Sequence, residues 1–159
     1  MIGLLQRVTG ASVAVDRTVI AAIGRGLLVF VGVEAGDEKG QADRLLERLL
    51  GYRVFPDEEG RMNRSVRDIR GGLLLVPQFT LAADTHRGAR PSFSPAAPPK
   101  VGRALFEHLV ERARSVHPAV ASGHFSADMQ VTLTNDGPVT FRLRVAPGGD
   151  STGLNFSKG

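Results

Sequence analysis

The chain has 159 residues, 42% of them hydrophobic and 23% charged, a composition typical of one folded domain. It contains no cysteine, which excludes disulfides, thiolate nucleophiles and thiolate-bound zinc. No apolar run approaches the roughly 20 residues of a membrane span, and the stretch before Arg7 is too short for a signal peptide. We therefore expect a cytoplasmic protein without a membrane partner. The net charge of +4, carried mostly by arginine, fits a polyanionic partner or a compositional bias equally well.

Strands dominate the first third of the sequence. Short runs rich in Val and Ile occupy 4–15, 18–23 and 27–33, separated by Asp16-Arg17 and by a glycine-containing turn, as in a meander. Asp37 is the predicted N-cap of a first helix that ends near Leu50. Its apolar residues recur at helical spacing and predict one buried face: Ala42, Leu45, Leu46, Leu49 and Leu50.

The middle third contains a buried strand followed by a long loop. The segment 52–56 predicts a short strand. In "LLLVPQFTL" over 73–81, the four aliphatic residues 73–76 predict a strand buried on both faces, and the run ends at Pro77. The proline-rich stretch 82–99 predicts a functional or mobile loop. A second helix is predicted from Lys100 to Val116, with one buried face: Val101, Leu105, Phe106, Leu109, Val110, Ala113 and Val116.

The last third returns to strands. Runs over 119–125, 128–134 and 139–145 predict three strands, with "NDGP" as a turn before the third. Two principal helices among roughly eight strands predict an α+β domain on a mainly antiparallel, barrel-like sheet. We predict a single domain over 1–145 and a flexible tail over 146–159, which is rich in Gly and Ser.

The familiar hydrolase and metal motifs are missing from the sequence. It has neither a nucleophile elbow nor the H-E-x-x-H pattern of zinc proteases. Four histidines stand at 86, 108, 117 and 124, but none has a second ligand at metal spacing, so surface or packing roles are favoured. We expect no metal and no cofactor.

Two short stretches carry polar groups where plain strands need none. If the strand continues past Pro77, Gln78 and Thr80 share one face, which a strand leaving the core also explains; the proline interrupts the ladder there. "NDGPVT" over 135–140 has the Asp-Gly of a hairpin turn. Pro138 is unusual at a strand entry, and Gly137 offers backbone for close approach by a ligand.

Together these stretches resemble the D-aminoacyl-tRNA deacylases, whose motifs read Ser-Gln-Phe-Thr-Leu and Asn-x-Gly-Pro-x-Thr. Here they stand as "PQFTL" over 77–81 and "NDGPVT" over 135–140. The likeness extends through "LLQRV", "GLLVFVGV", "FPDEEGRMN", the 82–99 loop and "ADMQV", and covers about residues 1–145.

The resemblance implies a homodimer of the family's barrel-like fold that hydrolyses the ester between a D-amino acid and tRNA, with active sites at the interface. Glycyl-tRNA mischarged on tRNA-Ala is an implied second substrate. Thr80 would be the catalytic residue, acting by positioning, with Gln78 and Phe79 lining the site. The dipeptide Gly137–Pro138 would bind substrate from the partner subunit as a cis peptide, supported by Arg7. The resemblance also implies that the terminal ribose hydroxyl of the tRNA activates or orients the attacking water.

One departure from the motif leaves alternatives open. The family serine is Pro77 here, as in an animal-type tRNA deacylase with relaxed chiral selectivity, although Phe79 and the second motif follow the D-specific pattern. A catalytically silent tRNA-binding module on the same fold is the other alternative. Arg87 and Arg90, in the loop after the first motif, are candidate phosphate contacts.

Overall fold

The computed structural model describes residues 1–147. The predicted tail over 146–159 lies, from residue 148 onward, outside the described residues. Within 1–147, no helix is both long enough and apolar enough to cross a membrane. The elements are β1 (Ile2–Val15), β2 (Thr18–Ile23), β3 (Gly26–Gly32), α1 (Lys39–Gly51), β4 (Phe55–Pro56), β5 (Met62–Arg64), β6 (Gly72–Pro77), a 3₁₀ helix (Phe79–Ala82), α2 (Pro99–Val116), β7 (Val120–Ser122) and β8 (Gln130–Arg144).

Strand β1 organises the main sheet, because it pairs antiparallel with β2, β3 and β8. The sheet continues from β3 to β6 and from β6 to β7 in parallel, while β4 and β5 form a separate small hairpin. The predicted α+β class, with two principal helices and a mainly antiparallel, barrel-like sheet, is confirmed. The two parallel pairings were not predicted, since strand direction depends on how the connecting helices cross the sheet.

The two helices bury one face each. All five residues predicted for α1 are buried, and α2 buries Leu105, Phe106, Leu109, Val110 and Ala113. The prediction was wrong for Val101 and Val116, which are 41% and 45% exposed. They lie in the first and last turns of α2, beyond the part of the helix that packs on the core.

The start of α1 also differs from the prediction. The N-cap is Glu38 and not Asp37, because the buried Asp37 carboxylate is engaged elsewhere. It accepts a hydrogen bond from the Met1 ammonium at 2.7 Å and one from the Glu34 N–H at 2.7 Å. Burial opposes ionisation of Glu34, yet hydrogen bonds from Arg144 and the Met1 ammonium outweigh it and hold the pKa of Glu34 below its usual value.

Strand β8 corrects the predicted turn at "NDGP". The segments predicted as two strands form one continuous strand that runs along β1, and its register shifts between Gln6 and Gly10. The chain therefore passes through Gly137–Pro138 without reversing, because pairing with the long β1 outweighs the local turn preference of Asp-Gly. Two other strands are shorter than predicted: β4 covers two of the residues 52–56, and β7 covers three of 119–125.

Candidate active site

Strand β6 ends at Pro77, and the chain then enters the 3₁₀ helix. The sequence predicts an interruption at Pro77 and leaves open whether the strand continues beyond it, and the structure shows that it does not. Gln78 still donates its N–H to the Val31 carbonyl at 2.8 Å, but a Pro residue supplies no ladder donor, which favours an exit at this point. Gln78 and Thr80 nevertheless lie together, because the Gln78 side-chain amide donates to the Thr80 hydroxyl.

Gly32 of β3 permits this exit. A Cβ at position 32 would lie 2.9 Å from the Leu81 Cβ and 3.2 Å from the Gln78 carbonyl oxygen. The 3₁₀ helix therefore packs directly on the end of β3. Any larger residue at position 32 would push the turn, and with it Phe79 and Thr80, outward.

A cavity of about 530 Å³ opens beside this turn. Pro77, Gln78 and Phe79 form one wall, whereas Thr80 is not among its lining residues. Asp128 is the one titratable side chain among the lining residues. The rest of the lining is largely apolar: Val31, Val33, Val76, Ala97, Pro99, Gly102, Phe106, Phe125, Ser126, Ala127, Met129 and Val131.

The 82–99 loop closes over the turn. Asp84 and Ser92 exchange backbone hydrogen bonds of 2.7 and 3.0 Å, which brings the loop back on itself. The Phe93 ring then lies 5.1 Å from the Phe79 ring, centroid to centroid, although Phe79 is 58% exposed. The candidate phosphate contacts Arg87 and Arg90 are exposed in this loop, and their role stays a prediction.

Gly137 and Pro138 lie exposed on β8, joined by a cis peptide bond. Gly137 has φ of +146°, and a Cβ there would lie 2.8 Å from the Val139 nitrogen, so the position requires glycine. Arg7 holds the neighbouring backbone: its Nε donates to the Asp136 carbonyl at 2.9 Å and its Nη1 to the Val54 carbonyl at 2.7 Å. Arg7 therefore contacts the residue just before the dipeptide, and its role as a support of the site stays a prediction.

Asn135 spans the same dipeptide and was not among the predicted site residues. Its Nδ2 donates to the carbonyls of Arg7 and Val139, each at 3.0 Å, and its Oδ1 accepts from the Val139 N–H at 3.2 Å. The side chain thus pairs both backbone polar groups of Val139, just after Gly137–Pro138, and bonds β1 through the Arg7 carbonyl. The Asn of the "NDGPVT" motif could have indicated this role, because a side-chain amide can both donate and accept hydrogen bonds.

The two predicted halves of the site lie apart within one chain. The strand register aligns Arg7 with Leu27 and Leu27 with Leu73, at the start of β6. Pro77 lies four residues further along β6, about 13 Å at 3.3 Å per residue. Neither Gly137–Pro138 nor Arg7 lines the cavity beside Pro77.

The part of the site formed by residues 77–81 lacks the groups of a covalent hydrolase. In residues 1–147, no His or carboxylate shares a hydrogen bond with the Thr80 hydroxyl, so no base is placed to activate it. The same residues hold no cluster of three or more His, Asp or Glu side chains that could bind a metal ion. His108 bonds Asp43 and the buried His117 bonds the Gly71 carbonyl, which are packing roles.

Fold and site together define an α+β protein with a largely apolar cavity beside an interrupted strand end. The D-Tyr-tRNA(Tyr) deacylase family model matches residues 4–144. The chain belongs to this family.

Individual relatives agree with this assignment. A D-aminoacyl-tRNA deacylase of Thioalkalivibrio sulfidiphilus is 63% identical over 147 residues, which cover 92% of this chain and 99% of that protein. One of Alkalilimnicola ehrlichii is 64% identical, with 92% and 98% covered. A solved structure titled c-Myc DNA Unwinding Element Binding Protein aligns with a TM-score of 0.88 and 36% identity over 92% of this chain and 99% of its own. A probable eukaryotic D-amino acid tRNA deacylase, at 21% identity, shares the fold with a TM-score of 0.72 over 89% of this chain and 98% of its own.

Replacing Asn135 by Ala is expected to lower the free energy of unfolding by about 1–3 kcal/mol, because the buried Val139 N–H loses its acceptor. Urea unfolding measures this change, and initial rates on D-tyrosyl-tRNA should fall in parallel. The matched control is Asn63→Ala, since the exposed Asn63 amide donates to Asp57 and its loss should cost less than about 1 kcal/mol. Equal destabilisation by both changes would contradict the bridging role of Asn135.

Proposed function

We propose that this chain hydrolyses the ester of D-aminoacyl-tRNA beside its 3₁₀ helix, and so removes D-amino acids before they reach translation. The family assignment and relatives more than 60% identical support the reaction. The observation that carries the location is the turn after Pro77, where the chain leaves the sheet on the wall of a cavity. A tRNA substrate supports the further proposal that the protein acts in the cytoplasm.

Backbone N–H groups of this turn are the proposed oxyanion donors. The first helical bond runs from the Leu81 N–H to the Gln78 carbonyl at 3.2 Å. The N–H groups of Phe79 and Thr80 precede that bond, so the helix itself gives them no acceptor. An ester carbonyl that becomes tetrahedral needs such fixed donors for its developing negative charge.

Thr80 acts by positioning in this mechanism. Its hydroxyl accepts a hydrogen bond from Gln78, which leaves its proton free to point at the substrate. Without an adjacent base, the hydroxyl is a poor nucleophile. A ribose hydroxyl of the terminal nucleoside activates the attacking water instead, so the tRNA supplies what the protein side chains do not.

The cavity beside the turn is the proposed site of the terminal adenosine. Its volume of about 530 Å³ lies in the range of small-ligand pockets. Phe125 and Met129 offer apolar surface to a base, and aromatic rings commonly stack on bases. Asp128 offers a carboxylate acceptor for an amino or hydroxyl group of the nucleoside.

A second copy of the chain completes the site in our proposal. Gly137–Pro138 is exposed, and Pro77 lies about 13 Å along the strand direction from the level of Arg7, which supports the dipeptide in this proposal. A two-fold dimer presents the same surface of each copy to the other, so each dipeptide can enter the partner's cavity region. The carbonyl oxygens of this dipeptide would then accept hydrogen bonds from the substrate's α-ammonium.

Chirality and the glycine substrate follow from a site lined by backbone. Rejection of L-amino acids requires only that backbone occupy the space of an L side chain, with no pocket for a D side chain. Glycine has no side chain to reject, so glycyl-tRNA mischarged on tRNA-Ala is included in the proposal. Pro77 keeps a relaxed, animal-type deacylase as an alternative, and a silent tRNA-binding module is the other.

Matched D- and L-tyrosyl-tRNA test the function directly. We expect the D ester to be hydrolysed at least about 100-fold faster, which corresponds to about 2.8 kcal/mol of discrimination. The measurement is the initial rate of tyrosine release, with buffer alone as the control for spontaneous hydrolysis. Equal rates would favour the relaxed alternative, and no turnover of either ester would favour the silent one.

Thr80→Ala should lower kcat on D-tyrosyl-tRNA by about 10- to 100-fold through lost positioning. The exposed position should leave the free energy of unfolding within about 0.5 kcal/mol of the wild type. Thr80→Ser should retain more activity because it keeps the hydroxyl. Thr85→Ala, in the neighbouring loop, is the matched control. An acyl group on Thr80, trapped and found by mass spectrometry, would overturn the non-covalent role.

Subunit complementation tests the shared site. Thr80→Ala and Gly137→Ala homodimers should each be nearly inactive, while mixed dimers contain one site with both motifs intact. Equal mixing after subunit exchange should then restore about a quarter of wild-type activity, since half of the dimers carry one good site out of two. Arg7→Lys replaces Gly137→Ala if the latter fails to fold, which circular dichroism reports. The cross-subunit model would be refuted if the mixture were no more active than the sum of the two separate variants. An active monomer, shown by light scattering, would also refute it.

A further inference from the structure

A second cavity adjoins the proposed adenosine site. It has a volume of about 810 Å³ and lies between α2 and the segment 122–127. Phe106, Phe125, Ser126 and Ala127 line both cavities. We call the second cavity the α2 groove, and the shared residues form a common wall between it and the first cavity.

Polar residues of α2 give the α2 groove its charge. Arg103 and Arg114 contribute two positive charges, Glu107 and Glu111 two negative ones, and His124 faces them from the opposite wall. Arg103 is partly neutralised, because Glu107 lies 3.8 Å away. The guanidinium of Arg114 instead donates to the neutral hydroxyl of Ser122 at 3.4 Å. Within the described residues no carboxylate is within salt-bridge distance of Arg114, so its charge is available to an anion.

The same groove offers a stacking surface beside this charge. The Arg103 guanidinium carbon lies 5.1 Å from the centre of the Phe125 ring, and that ring forms part of the wall between the two cavities. Bases of single-stranded nucleic acid stack on aromatic rings and on guanidinium planes, while their phosphates pair with arginine. The groove therefore offers a stacking surface for a base and a positive charge for a phosphate.

If the first cavity holds the terminal adenosine, as proposed, the rest of the tRNA strand must leave that cavity. A terminal adenosine carries a 5′ phosphate that joins it to the preceding nucleotide, so the strand has to exit past one wall. The shared wall at Phe125–Ala127 leads into the α2 groove, where Arg114 lies. We propose, on the basis of the proposed function, that the α2 groove binds the penultimate nucleotide of the tRNA 3′ end and that Arg114 contacts a phosphate of this strand.

Kinetic measurements on two substrates can test this inference independently of the proposed function. D-tyrosyl-tRNA reaches both cavities, whereas a D-tyrosyl ester of adenosine alone reaches only the first. Arg114→Ala should raise KM for D-tyrosyl-tRNA about tenfold, the loss of one charge-assisted hydrogen bond. The same substitution should leave kcat/KM for the adenosine ester unchanged. For D-tyrosyl-tRNA, it should reduce the slope of log affinity against log salt concentration by about one.

The matched control lies on the same helix. Arg112 is exposed and faces Asp43 of α1 at 3.6 Å, outside the α2 groove, so Arg112→Ala should change neither substrate's kinetics. Glu111→Gln removes a carboxylate that opposes the phosphate, and it should lower KM for D-tyrosyl-tRNA while leaving the adenosine ester unaffected. Opposite effects of two changes on one helix face cannot arise from a general loss of stability.

Three outcomes would overturn the inference. Equal losses on both substrates would make Arg114 a structural residue, and unchanged KM on tRNA would place the strand elsewhere. A loss with Arg112→Ala as large as with Arg114→Ala would reduce the effect to general electrostatics. If the wild type cleaves neither substrate, the proposed function itself fails; if it cleaves both and Arg114→Ala behaves like the wild type, only the groove is refuted.

Discussion

The side-chain amide of Asn135 allows β8 to remain one strand. Gly137–Pro138 interrupts the ladder between β1 and β8, because a proline has no N–H and Gly137 adopts a positive φ. Asn135 bonds the carbonyls of Arg7 and Val139 and the Val139 N–H, so the polar groups on either side stay paired. Without this bridge the strand would have to leave the sheet at the dipeptide, and the dipeptide would lose its fixed orientation.

Arg7 links this bridge to the rest of the fold. Its guanidinium joins the Asp136 and Val54 carbonyls, so β8 is tied to the segment just before β4. Its own backbone carbonyl accepts from Asn135. A cation and an amide therefore fix the backbone next to an exposed dipeptide, and the proposed substrate contact requires such rigidity.

Local patterns predicted the elements, and tertiary pairing decided how the elements combine. The buried face of α1 followed from helical periodicity, because five leucines and alanines at that spacing have one way to face a core. The Asp-Gly dipeptide predicted a hairpin that does not exist, since the same two residues suit a bulge when a long partner strand such as β1 runs past. Asp37 was wrong as an N-cap because a distant group, the Met1 ammonium, takes its carboxylate. The residues of the second motif were found by resemblance, yet their separation from Pro77 depends on strand register, which periodicity does not contain.

A proline at position 77 is compatible with the proposed site, because the proposed oxyanion donors are backbone N–H groups. The proposed oxyanion donors are the N–H groups of Phe79 and Thr80, which follow the proline and do not involve its side chain. Pro77 sits at the last position of β6, where a missing ladder donor costs little. Gln78 continues to bond Val31 at 2.8 Å, so the turn starts from the same fixed point whichever residue precedes it. In the proposed site, the exchange of serine for proline changes the cavity wall that Pro77 lines and not the N–H donors. We therefore expect position 77 to affect selectivity through contact with the nucleoside or the amino acid.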